Sequence, residues 1–152
     1  MKQLFNHVSR FRYRAVEETE MAEELEDERL EQHEEQADEG RSQEESQPAL
    51  SEETGEALLV KICSEPGDEA DDAIPEIVDT ASDLGLDTVI LFPWAHLSQD
   101  LMSPPEAKEL LEDVERNLEE RGYDVIRAPF GWYKEWELES KGHPMSVLSR
   151  ET

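Results

Sequence analysis

Apolar and polar positions alternate from the first residues onward. In KQLFNHVSRFRYRAV the alternation predicts a first strand with Leu4, Phe11 and Tyr13 facing inward, an irregularity near Ser9, and Arg10, Arg12 and Arg14 lining one face. EALLVKICS reads as a second, β-rich strand. The period then changes to that of a helix: DDAIPEIVDTASDLG places Ile74, Ile77, Val78, Ala81 and Leu84 on one face, with Gly85 set to end it. LDTVILFPW is a buried strand stopped by Pro93. SPPEAKELLEDVERNLEERG has every mark of a helix: Ser103 as N-cap, Pro104 in the first turn, Glu106 completing a capping box, and a stripe of Ala107, Leu110, Leu111, Val114 and Leu118 before Gly122. YDVIRAPF and WYKEWELES are two further strands joined through Gly131. The order predicts a single α/β domain with a mixed β-sheet and two main helices.

The periodic pattern fails between residues 17 and 55. From Glu17 to Glu56 the chain carries 18 acids and two basic residues, a low-complexity acidic insert. Met21, Leu25 and Leu30 hint at a helical start, and Gly40 to Gly55 reads as a solvated loop. The chain of 152 residues has a net charge of -26, and composition beyond the insert is less extreme. Such acidity fits a halophile's protein, because self-repulsion is screened over about 3 Å in ~1 M salt. It also argues against broad phosphate contact, so any RNA contact is small and local. Cys63 is the single cysteine, which leaves no internal disulfide. With neither a signal peptide nor an apolar run long enough to span a membrane, a cytoplasmic protein is expected.

Chemistry concentrates in two segments. Period-two alternation in the last strand puts Trp132, Lys134, Trp136 and Leu138 on one face and Tyr133, Glu135, Glu137 and Glu139 on the other. Lys134 thus falls on the apolar side. A buried ammonium is costly unless paired or hydrogen-bonded, so this position is either an edge where the amine reaches water or the wall of a site. FPWAHLSQD follows a buried strand, where sheet crevices receive ligands, and His96 there is either an acid, base or orienting donor, or a hydrogen-bonded structural residue. His7, His33, His96, His143 and Cys63 lack the close paired spacings of a zinc site, and no calcium loop, phosphate-cradling glycine loop or serine nucleophile elbow is present. No metal and no cofactor are expected.

FPWAHLS and LEERGYDVIRAPFGWYKEWELESKGHPMSVLSR together resemble the N-terminal editing domain of archaeal threonyl-tRNA synthetase, whose pattern runs through F/Y-P-F/W-A-H-L-S, A-P-F-G-Y/W-Y-K and a K-G-H-P turn before L-S-R. The match covers Ile74 to Arg150 well and the first strand with His7 loosely. The resemblance implies a D-aminoacyl-tRNA deacylase-like fold and hydrolysis of serine wrongly esterified to threonine tRNA, assisted by the tRNA's own 2'-hydroxyl. Such a second site is needed because one missing methyl changes binding by only about 1 to 3 kcal/mol. Lys134 matches the family's lysine and His96 its histidine, which makes both catalytic candidates. Tyr133 matches the tyrosine before the lysine, and Pro93, Trp94 and Ala95 would form the substrate-binding wall. The implied partners are the 3' end of an aminoacyl-tRNA, threonyl-tRNA synthetase and, since related folds are often dimeric, a second copy.

The chain departs from the pattern at two places. Val147 stands where some members carry a glutamate, and Ser9 where an aspartate often follows. These departures and the acidic insert keep open a non-catalytic module binding the tRNA 3' end or a synthetase, and the shared fold keeps open a D-aminoacyl-tRNA deacylase. Without the family's synthetase domain, the expectation is an excised domain, a free-standing editor acting in trans, or a paralogue that has drifted.

Overall fold

The computed structural model describes residues 1–20 and 48–152. Seven strands form one sheet: β1 (Lys2–Glu18), β2 (Ser51–Thr54), β3 (Ala57–Cys63), β4 (Thr88–Pro93), β5 (Asp124–Arg127), β6 (Trp132–Ser140) and β7 (Val147–Glu151). Helix α1 (Ala70–Leu84) joins β3 to β4, and α2 (Pro104–Glu120) joins β4 to β5. β3, β4 and β5 run parallel, whereas β1 pairs antiparallel with β2, β3, β6 and β7. Among the described residues this is the single α/β domain with mixed sheet and two main helices expected from the sequence. The weak helical stripe at Met21, Leu25 and Leu30, and His33, lie outside the described residues.

β1 is the hub because it is long enough to pair twice along each edge. Its first half lies between β3 and β7, and its second half between β2 and β6. Pairing with β6 shifts between Val8 and Arg10, so the irregularity expected near Ser9 is a bulge. A bulge advances the alternation by one residue. Phe5 therefore packs on the helix side, while Val8, Phe11 and Tyr13 enter a second core on the opposite face. Phe11 and Tyr13 are buried as expected. Leu4 is only half-buried, because in this part of β1 the helices cover the other face, and Phe5 is the buried residue there.

The two cores explain the hydrophobic runs in the centre. β3 and β4 alternate between them: Leu58, Val60, Ile62, Val89 and Leu91 face the helices, while Ala57, Leu59, Ile90 and Phe92 face the other core. Strands buried on both faces read as continuous apolar segments. α1 contributes Ala73, Ile74, Ile77 and Ala81 and ends at Gly85, whose φ of 68° is the left-handed conformation that favours glycine. The stripe expected on α2 is buried throughout. Ser103 is its N-cap, but its hydroxyl makes no cap hydrogen bond, and the capping box with Glu106 does not form. Pro105, second in the helix, has no N–H for a cap to receive.

Two strands carry no hydrophobic signal. β2 is SEET, part of the stretch read as a solvated loop, and β7 follows the K-G-H-P turn. Both are short strands held on β1 by backbone pairing, with Leu148 of β7 alone packing against the helix-side core. No helix among the described residues is long and apolar enough to cross a membrane.

Candidate active site

β4 ends at Pro93, beyond which Trp94 leads into a single 3-10 turn, Ala95–Leu97. Opposite this turn, β6 crosses over the second core, with the Trp136 ring 5.5 Å from that of Phe92 and 5.2 Å from that of Trp94. The start of α2 closes the third side. Between them lies a cavity of about 490 Å³. Pro93, Trp94, Ala95, His96, Tyr133 and Lys134, the six residues singled out in the sequence, all line it. Two segments some 40 positions apart therefore share one pocket because β4 and β6 stack across the second core.

Lys134 projects from β6 with Trp132 and Trp136 onto the pocket side. Its ammonium donates to the carbonyl oxygens of Pro129 at 2.9 Å and Trp132 at 2.7 Å, and lies 5.2 Å from the centre of the Phe92 ring. No carboxylate pairs with it among the described residues. Burial without a counter-charge disfavours the ammonium and pulls its pKa down from 10.5 to about 8. At neutral pH the group still carries its proton, with one of three N–H donors uncommitted to the protein. Tyr133 is 61% exposed, as alternation requires, and reaches only the rim.

His96 sits exposed on the 3-10 turn, its ring 5.3 Å from that of Trp94, and makes no side-chain hydrogen bond among the described residues. Among the described residues, His96 is therefore not the hydrogen-bonded structural residue of the alternative reading. The turn itself is tied down next door: Ser98 Oγ donates to Glu65 at 2.7 Å, and this bond leads the causes that lower the Glu65 pKa. Cys63 contacts the carbonyl of Ala95 through Sγ at 3.8 Å, and burial pushes its thiol pKa up, so it behaves as an inert wall.

Several pocket features escape the sequence pattern. Ser103, Pro104, Ala107 and Leu111 of α2 line the cavity, although the stripe marks Ala107 and Leu111 only as core. Thr19 reaches it from the end of β1, donating Oγ1–H to the Gly131 carbonyl at 2.9 Å. Lys61, on β3, does not line the cavity but places its ammonium 4.6 Å from the ring centre of Trp94 and 5.6 Å from that of Trp136, two residues that do. Its position inside the apolar run ALLVKIC was the available signal.

The two departures lie elsewhere. Val147 is exposed at the start of β7, paired with Asn6, and Ser9 Oγ donates to the Glu139 carboxylate at 2.8 Å; neither lines the cavity. His7 and His143, distant in sequence, meet with 2.8 Å between Nδ1 and Nε2, and Glu56 stands 3.2 Å from the other His7 nitrogen. That separation is a hydrogen bond between imidazoles, and no group of three or more side chains suited to a metal occurs among the described residues.

Residues 35–152 match the family described as the archaea-specific editing domain of threonyl-tRNA synthetase. A threonine–tRNA ligase of Methanopyrus kandleri is 46% identical over 113 residues, which are 70% of this chain and 18% of the relative. One from Methanococcus maripaludis is 48% identical over 107 residues, 66% of this chain and 17% of the relative. The chain thus spans less than a fifth of the length of these curated relatives. Among solved structures, the c-Myc DNA unwinding element binding protein superimposes with a TM-score of 0.66 at 11% identity, covering 100% of this chain and 99% of that one. That likeness is one of fold, the D-aminoacyl-tRNA deacylase-like arrangement.

Proposed function

We propose that this chain, which belongs to the archaea-specific editing-domain family of threonyl-tRNA synthetase, is an aminoacyl-tRNA deacylase whose substrate is Ser-tRNA(Thr). The observation that carries the catalytic reading is the Lys134 ammonium, fixed by two carbonyls and, among the described residues, paired with no carboxylate, in an aromatic pocket. Such a donor suits an oxygen that gains negative charge.

In this reading the terminal adenosine and its amino acid occupy the cavity, against Pro93, Trp94 and Ala95. One water adds to the ester: its oxygen bonds to the carbonyl carbon, the bond to the ribose oxygen breaks, and a proton passes to that ribose oxygen. The substrate's 2'-hydroxyl assists, and the free N–H of Lys134 stabilises the oxyanion. His96 hydrogen-bonds the water or the substrate, and Tyr133 acts from the rim. Val147 and Ser9 lie away from the cavity, which supports retention of activity despite both departures.

Charge limits the RNA contact to this end, with the body of the tRNA held by other domains or by a synthetase partner. The reading extends to a cytoplasmic protein of a halophile acting in cis or in trans, and to a homodimer.

The test is hydrolysis of Ser-tRNA(Thr), Thr-tRNA(Thr) and a D-aminoacyl-tRNA side by side in multimolar salt. Serine should be released at least tenfold faster than threonine. Preferential release of the D-amino acid would replace the proposed substrate, and no release above the uncatalysed rate would support a binding module instead.

A further inference from the structure

We propose that Lys61 is a phosphate anchor: its ammonium, seated on the indoles of Trp94 and Trp136, binds a phosphodiester of the nucleotides leading into the pocket. The proposal rests on the reading of that pocket as the seat of an aminoacylated RNA 3' end.

Acids outnumber lysines and arginines 40 to 14 in this chain, so an unpaired cation is conspicuous. Seven of the twelve lysines and arginines among the described residues form an ion pair with a carboxylate. Lys61 is not among them, and it makes no side-chain hydrogen bond there either. It is nonetheless half-buried, and desolvation lowers its pKa. The indole faces hold the ammonium in place without neutralising it, so its N–H groups remain available to an anion.

Position narrows the choice of anion. Trp94 and Trp136 also line the cavity, so Lys61 stands against the same indoles that wall the proposed substrate site. The positive features of the pocket itself are poorly suited to a phosphate. Lys134 has two of its three donors on carbonyls, and α2, whose start lines the cavity, opens with Pro104 and Pro105, which have no N–H to offer. A strand of RNA arriving at the pocket brings one phosphate per nucleotide, and Lys61, with no hydrogen bond or ion pair among the described residues, has donors to spare for it.

The test is a two-by-two binding cycle in ~1 M salt, where a half-buried charge is screened less than an exposed one. The ligands are a CCA trinucleotide bearing a non-hydrolysable 3'-serylamide, with phosphodiester or with neutral methylphosphonate linkages; the proteins are wild type and Lys61→Met. The neutral linkages should weaken binding to wild type about tenfold and to Lys61→Met less than twofold, while Lys61→Arg keeps the wild-type difference. If both proteins lose affinity equally on neutralisation, or if Lys61→Met weakens both ligands alike, Lys61 only supports the two indoles and the proposal is overturned while the pocket reading stands. If wild type binds neither ligand, the pocket reading falls and takes the anchor with it.

Discussion

Lys134 owes its properties to its neighbours, two carbonyls and an aromatic floor. Folding depresses its pKa to about 8, so between that pH and its ordinary value of 10.5 the unfolded chain holds a proton that the folded chain has lost. Stability from this group therefore rises with pH across that window, and below it the buried charge is a net cost. Lys134→Met should melt at a higher temperature than wild type at pH 7, with the gap closing toward pH 10. Calorimetry across that range checks this, and a lower melting temperature at pH 7 would mean that the amine stabilises the fold. The lysine was legible because strict alternation placed it between two tryptophans. Lys61 was not, because a single charged residue in an apolar strand says nothing about which aromatic rings will lie over it.

At the scale of elements, legibility followed burial. α2 could be read to the residue because its five buried positions recur at helical spacing, and β3 and β4 because both of their faces are covered. β2 and β7 gain their identity from backbone pairing with β1, which leaves no periodic trace in SEET or VLSRE. The pocket itself depends on β6 folding over β4, a contact between distant segments that only the resemblance to a known family anticipated. The pairing of β1 with β2 also makes the acidic segment the connection of an antiparallel hairpin, with Tyr13 Oη donating to the Ala49 carbonyl at 2.6 Å near its far end. Loop closure depends only weakly on length. Replacing Glu20 to Gln47 by a short linker should keep deacylation within about tenfold, roughly 1.4 kcal/mol in barrier. A folded deletion variant without activity would assign the segment a role in the reaction.

The whole molecule is shaped by its charge. At -26 it repels itself over about 30 Å in 0.01 M salt, and over about 3 Å near 1 M. The cross-strand pairs Arg12–Glu137 and Arg14–Glu135 are exposed and offset little of this, since water and salt screen surface pairs. The melting temperature should climb from low to multimolar salt, and a flat profile would remove the halophile reading. The same acidity is what confines the proposed RNA contact to its 3' end.

The most direct measurement is the single-turnover rate of serine release from Ser-tRNA(Thr), for wild type and for Lys134→Met, with circular dichroism establishing that both are folded. If the Lys134 ammonium stabilises the developing oxyanion, the substitution should slow release by about 10² or more, roughly 2.7 kcal/mol or above. A folded Lys134→Met protein releasing serine at close to the wild-type rate would contradict the assignment of this lysine to the chemistry.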